Sequence, residues 1–490
     1  MGVQSLESAR RGNKQKIRNV AIILLWGMIL MALLPISKFI NVDLMILIAW
    51  FSFCLYLFVA DLGFFLKYII YFYEYITNIL GVFIIENIEL YLYELDVNAY
   101  RVGALWLITF IHWLFFFVCY ICDSRMENRL SHFHSTIDFR ISSVKINKYL
   151  PAGLCILIGL LLTYMMLKTV GRSASDLQVD RFTYRNEYIT GFWSIIHDNL
   201  YILLPAIVMI IIMGHKITGF ALIAFYFLYM IRTGNKFGSF IITFTLFIPW
   251  IVTRYKLRKM NSRNLRIVLF LGVIILSFVT FTLYYFMSRT YGTSGNSFLE
   301  YIYNRLSQQG QMWWAMYGKE YGNGIHLDEL GKSIGSLFSL DKEVLANYDF
   351  GIYKIMKMVV PPSLFQAKIS SYSRYAFSTE ASFYYYFKTP GLIVFTILLA
   401  LQSTMIVNWY WKRVNSLHAI YTLVAGIFYV INISVITQSD FNVLLSKRNF
   451  VLIVAYLILL LAGYRRQQGT TVTSDSLCSS KSAESSQAIL

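Results

Sequence analysis

About twelve stretches of roughly 20 apolar residues recur along this chain, and each is long enough to cross the hydrocarbon core of a bilayer as a helix. They lie near residues 18–38, 43–62, 65–85, 103–122, 149–168, 194–213, 217–232, 236–253, 267–287, 389–410, 417–436 and 448–464. Inside hydrocarbon a backbone must satisfy its own hydrogen bonds, which leaves helices as the means of spanning for such continuous apolar runs. The expected fold is an all-α polytopic integral membrane protein with about 12 transmembrane helices. Composition agrees, with 57% hydrophobic residues, 14% charged residues and a mean hydropathy of +0.56 over 490 residues. The third stretch is the least regular, because Glu74 and a row of tyrosines occupy its middle.

The net charge of +17 would suggest a nucleic-acid partner in a soluble chain. Here the basic residues cluster between apolar runs, where orientation and anionic headgroups account for them, so no nucleic acid is expected. Arg10, Arg11, Lys14, Lys16 and Arg18 precede the first stretch, and Arg125, Arg129, Arg140, Lys145 and Lys148 follow the fourth. The segment RYKLRKMNSRNLR (254–266), then Lys412 and Arg413, then Arg465 and Arg466, complete the set. Counting spans from an inside N-terminus places every cluster in the cytoplasm. Residues 1–17 then form a cytoplasmic tail, 18–464 the transmembrane domain, and the Ser-rich 465–490 a disordered cytoplasmic tail. The first stretch reads as an uncleaved span, since no small-residue cleavage site follows a short apolar core.

This topology exports two long segments, 169–193 and 288–388, and long loops on a rigid scaffold are where function tends to sit. Neither contains cysteine, so no disulfide is expected in them. Cys119 and Cys122 form a CxxC, with His132 and His134 further on, but the first cysteine lies within a span and the spacing matches no zinc module. No Walker A, GxGxxG or HExxH is present, and neither a metal nor a cofactor is expected.

Exported basic residues oppose the rule that orients the chain. Loop 169–193 carries Arg172, Arg181 and Arg185 against Asp176, Asp180 and Glu187. The larger loop holds Arg289, Arg305, Lys354, Lys357 and Arg374. A solvated face or pairing with acids explains Lys319, Lys332 and Lys342, and is open for Arg172. Arg305 lies beside a Phe298, Ile302, Leu306 stripe with Trp313 and Trp314 following, which suits a helix along the membrane interface. Its guanidinium fits either a phosphate or pyrophosphate ligand, or lipid phosphate reached by snorkelling. Arg232 and Lys236 bracket Gly234 in a turn so short that both cations stay near the outer face, as an anion site or as the polar cap of a hairpin. Arg374 and Glu380 sit in an aromatic run just before a span, either as functional groups or as partners of each other.

The turn RTGNKFG (232–238), the exported arginine loops, and STEASFYYYFKTPGLIV (378–394) leading into a late span together resemble the O-antigen polymerase (Wzy-type) branch of oligosaccharide repeat unit polymerases. The likeness in layout covers about residues 150–464. It implies a GT-C-like membrane glycosyltransferase that joins undecaprenyl pyrophosphate-linked repeats at the outer face of a bacterial inner membrane, with a chain-length regulator protein as a further partner. Position by position, it places Lys236 where the family turn usually has arginine and Glu380 at the acid before the late span. Lysine keeps the charge but loses the bidentate fork, and Arg232 stands in as the alternative. Glu380, then His326, are the implied general bases. Arg181, Arg185, Arg232, Lys236, Arg289, Arg305 and Arg374 are the implied pyrophosphate and sugar contacts. Trp313, Trp314, Tyr384 and Tyr385 are available for stacking on sugars or for interface anchoring. An O-antigen ligase shares this layout. A flippase would instead place its charges in a cavity among the spans and keep its loops short.

Overall fold

The computed structural model describes residues 2–37, 40–141, 150–177, 179, 181–198, 200–234, 237–255, scattered residues between 263 and 277, and then 298–319, 326, 328–330, 351–370, 375, 379–415 and 419–438. The stretch 448–464, most of 267–287, Lys236, Arg289 and Arg374 lie outside these.

The described chain is mostly helical, compatible with an all-α membrane protein. Six of its helices are long and apolar enough to span: Gln15–Ile36, Asp43–Ala60, Ile69–Asn87, Ala104–Asp123, Pro151–Lys168 and Thr379–Val414. Shorter apolar helices at Leu203–Ile212, Ile241–Val252 and Thr422–Thr437 pack with them. In order, the first five helices are α1 (Gly2–Ser37), α2 (Asp43–Ala60), α3 (Leu62–Lys67), α4 (Ile69–Asn87) and α5 (Ala104–Ile141). Between α4 and α5 a two-stranded antiparallel ribbon pairs Tyr91 with Asn98 and Leu92 with Val97. Then come α6 (Leu150–Lys168), α7 (Arg181–Thr183), a π-helical turn (Tyr184–Tyr188), α8 (Gly191–Asp198), α9 (Leu200–Ile212), α10 (Lys216–Arg232) and α11 (Phe237–Tyr255). The remainder is α12 (Phe298–Gly318), α13 (Gly351–Val359), α14 (Pro362–Ser370), α15 (Thr379–Asn415) and α16 (Ala419–Gln438).

Local chemistry accounts for where the early helices break. The stretch expected at 65–85 is divided at Tyr68, with Asp61 capping α3 through a 2.9 Å bond accepted from the Phe64 amide. Around the stretch expected at 194–213, residues 191–198 and 200–212 are helical.

Two features position the candidate site. First, α12, expected along the membrane interface, lies against α4, and Met312, Trp313, Trp314, Ala315 and Met316 are all buried. Glycines allow this approach. A Cβ at Gly81 would stand 2.4 Å from the Leu306 carbonyl oxygen and 2.7 Å from the Gly310 amide, and one at Gly310 would stand 2.4 Å from the Val82 amide. Trp313 and Trp314 are anchored by donating to the carbonyls of Ala104 at 3.0 Å and Tyr100 at 2.9 Å, which removes them from sugar stacking or lipid anchoring.

Second, α15 is two helices joined at Lys388, whose φ of 54° lies in the left-handed region. Phe383 and Phe387 both pack on Phe395, with ring centroids 4.3 and 4.7 Å away. Residues twelve apart on a straight helix would be separated by about 18 Å along its axis, so the chain doubles back here. Pro390, with its fixed φ and missing N–H, suits the first turn of the outgoing helix.

The glycine contact is directly testable. Gly81→Ala or Gly310→Ala drives a methyl into backbone and is expected to cost about 1–3 kcal/mol. Gly153→Ala, with open space around its Cβ position, is expected to be neutral. Thermal unfolding in detergent separates the two cases.

Candidate functional site

The fold-back at Lys388 decides where Glu380 sits. The arm 379–387 buries its own beginning: Thr379, Glu380, Ala381 and Ser382 are each at most 5% exposed. Thr379 donates its hydroxyl to the Val435 carbonyl at 2.9 Å, which pins the start of the arm to α16. Glu380 Oε1 then lies 3.5 Å from Nε2 of His112, in the middle of α5. His112 is fully buried and held flat against Tyr75 of α4, with centroids 3.8 Å apart and planes 9° from parallel, and the Trp50 ring is 6.2 Å away. Glu380 Oε2 and both imidazole nitrogens make no hydrogen bond. The partner found for Glu380 is therefore a histidine on a distant span.

A second polar cluster closes one end of the bundle. Lys67 Nζ lies 2.7 Å from Asp123 Oδ1, and the same oxygen accepts from Asn408 at 3.0 Å and from the Tyr68 hydroxyl at 3.1 Å. Lys67 also donates to Asn408 Oδ1. Between the two clusters Asn432 donates to the Tyr71 hydroxyl at 2.7 Å and to Ser403 at 3.2 Å, and accepts from Gln402 at 2.9 Å. Each network ties α3 or α4 to α15, with α5 or α16 joining in.

The turn after α10 and the segment 169–193 come together as a third feature. Arg232 donates through Nε to the Thr169 hydroxyl at 2.8 Å and through Nη2 to the Thr169 carbonyl, while its own carbonyl accepts from the Ala174 amide at 2.8 Å. Gly234, at φ +74°, packs so closely that a Cβ there would stand 3.2 Å from Ala174 Cβ and 3.5 Å from Arg181 Cα. Tyr184, buried in the π-helical turn, donates to the Arg172 carbonyl at 2.7 Å, and burial pushes its phenol up to about 12. A π-helical turn often marks a functional position, and this one carries Arg185.

A fourth cluster caps the arm 379–387. His326 stacks on Tyr385 with centroids 4.7 Å apart, and its amide donates to the Tyr386 carbonyl at 3.1 Å. The Tyr385 hydroxyl donates to Glu329 Oε2 at 2.6 Å, and Lys354 lies 3.0 Å from the same oxygen. The Tyr385 hydroxyl first, and the Lys354 ammonium with it, hold the Glu329 carboxyl below its ordinary value.

The structure thus brings Arg181 beside the Arg232 turn, and sets His326 against Tyr385 and Tyr386 of the arm that carries Glu380. It does not join Arg305 to any of these: that guanidinium bonds to Gln308 on its own helix. Tyr384 packs against Trp313 and Tyr317. His112, Tyr75, Lys67, Asp123, Asn408 and Asn432 were absent from the sequence-based candidates. The available signal was spacing, since Lys67, Tyr71, Tyr75 and Asn78 fall at intervals of four, four and three, as polar positions on one helix face do.

Residues 345–453 match a family of unknown function, DUF6418. That stretch contains α13 to α16, and so the fold-back and Glu380. No curated protein and no solved structure matches the chain.

Two outcomes are expected from these clusters. Asp123→Ala strands a buried lysine and should cost about 3–5 kcal/mol, whereas the double variant Lys67→Met, Asp123→Leu should recover most of that loss in thermal unfolding. For Glu329, a folded value below 4.5 means that its contribution to docking is complete above 4.5 and disappears as pH falls through the lower value. Limited proteolysis around 326–330 should quicken over that acid range in wild type, and show no such pH dependence in Glu329→Gln.

Proposed function

We propose that the protein polymerises oligosaccharide repeat units carried on undecaprenyl pyrophosphate, working at the outer face of a bacterial inner membrane as a metal-independent, GT-C-like glycosyltransferase. The observation that carries this reading is Glu380: a carboxylate held within the helical bundle, with one oxygen facing an imidazole and the other unpartnered. Such a group is fitted to take a proton from an incoming hydroxyl. In the proposed reaction Glu380 accepts the hydroxyl proton of the acceptor sugar. The freed oxygen bonds to the anomeric carbon of the donor chain, and the bond to pyrophosphate breaks with its electron pair leaving on phosphate. Fixed cations stabilise that leaving charge. Arg181 and Arg185, at the Arg232 turn and the π-helical turn, are the described candidates, with Lys236, Arg289, Arg305 and Arg374 as further ones. Arg232 itself spends donors on Thr169 and serves to shape the turn. His326 takes a supporting place in the cap over the arm. Membrane lipids and a chain-length regulator are the expected partners.

A transporter of the same lipid-linked sugars is the second reading, favoured by the buried Lys67, Asp123 and Asn408 among the helices.

The test is the length distribution of surface polysaccharide on gels, from cells lacking the gene and complemented at matched protein levels. Wild type is expected to restore a ladder, and Glu380→Gln to leave single-repeat product with polymer reduced about 100-fold or more. Arg305→Ala measures whether that cation contributes. Polymer that forms but stays on its carrier lipid would mean a ligase, and repeats that never reach the outer leaflet would mean a transporter.

A further inference from the structure

Among the described residues, His112 is a buried titratable side chain with little structural reason to be where it is. It sits in the middle of a span, fully buried, and neither nitrogen makes a hydrogen bond. Leaving such atoms unpaired costs about 1–3 kcal/mol each, so a histidine kept only to fill the core would be a poor choice beside phenylalanine. Its ring is nonetheless fixed. Tyr75 lies flat against one face at 3.8 Å, and the Trp50 ring, 6.2 Å away and inclined by 55°, bounds the site further. The clamp leaves Nε2 3.5 Å from Glu380 Oε1. Glu380 is in turn fixed by the arm, whose first residue is tied to α16. Imidazole and carboxylate thus belong to two helices that pack on each other, and each is also held by a contact of its own, His112 by Tyr75 and the arm by the Thr379 bond to α16.

We propose that His112 is the positioning residue of the site: Nε2–H holds Oε1 of Glu380, so that Oε2 presents its lone pair to an acceptor hydroxyl entering the bundle. This rests on the polymerase reading of Glu380 and supplies what that reading lacked, a partner fixing the base. At 3.5 Å the two atoms stand just beyond an ordinary hydrogen bond, within the looser range in which catalytic pairs are found. The ligand class follows from the carboxylate. Oε2 is an acceptor without a partner, so a neutral donor such as a sugar hydroxyl fits it, whereas an anion would meet the carboxylate's charge.

The experiment uses the purified full-length protein in liposomes with lipid-linked repeat unit as donor and acceptor. His112→Phe keeps the stack on Tyr75 and removes both nitrogens. It is expected to lower kcat about 100-fold with KM changed less than about threefold. His112→Gln, which restores a donor, should recover about tenfold of that loss. An unchanged kcat in His112→Phe, or a loss confined to KM, would overturn the assignment. A second measurement stands apart from catalysis: the rate at which an apolar carbodiimide modifies Glu380, followed by mass spectrometry, with the thermal midpoint confirming that each variant is folded. Removing the imidazole should change this rate about tenfold. An unaltered rate in folded His112→Phe rejects the pairing even if wild type fails to polymerise, and failure of wild type alone rejects the polymerase reading.

Discussion

A polar atom inside a helical bundle in a membrane has no water to fall back on, and in this protein that constraint decides which helices meet. Lys67 needs Asp123, Asp123 draws in Asn408 and Tyr68, and Asn432 joins Tyr71 to Ser403. Each of these bonds crosses between helices distant in sequence, so α3, α4, α5, α15 and α16 are registered by polar chemistry, while apolar packing alone would leave them free to slide. His112 and Glu380 obey the same logic with a difference: they reach each other and still keep unpartnered atoms. Other buried polar atoms are unpartnered too, among them Glu86 Oε2 and the Tyr429 hydroxyl, but at His112 and Glu380 a carboxylate and an imidazole with such atoms face each other.

Much of the architecture was legible in the linear sequence, because hydrocarbon imposes a length and a composition on any segment that crosses it. The turn at Gly234 was also legible. Only a residue tolerant of positive φ fits at +74° with Ala174 and Arg181 Cα so near, and the short RTGNKFG run announced a tight reversal. Glu380 stood out as an acid in an aromatic run beside a span. What could not be read was its partner. His112 lies in a stretch whose composition is simply apolar, and its meaning depends on a contact across 268 positions, which is 380 minus 112.

The fold-back shows the same limit in another form. Pro390 and Gly391 were visible in KTPG, and they mark the start of a helix, but nothing local says whether the preceding segment continues outward or returns. The aromatic pairs Phe383 with Phe395 and Phe387 with Phe395 decide that, and they are tertiary contacts. The packing of α12 on α4 could not be read for a related reason. Its stripe of apolar residues fits a lipid surface as well as another helix, and the glycines at 81 and 310 select the helix.

The central claim is geometric: the arm 379–387 returns into the bundle and sets Glu380 against His112. Paired cysteines at these two positions, in a background without the native cysteines, test it in intact membranes with a bifunctional thiol reagent of about 10 Å, because the native contact joins the tips of two long side chains and a direct disulfide needs closer backbones. The account predicts efficient cross-linking between positions 112 and 380, and little when the second cysteine is moved to position 382, about 200° around the helical arm. Absence of the 112–380 cross-link, with cysteines that remain reactive, would mean that the arm points elsewhere and that the site proposed here does not form.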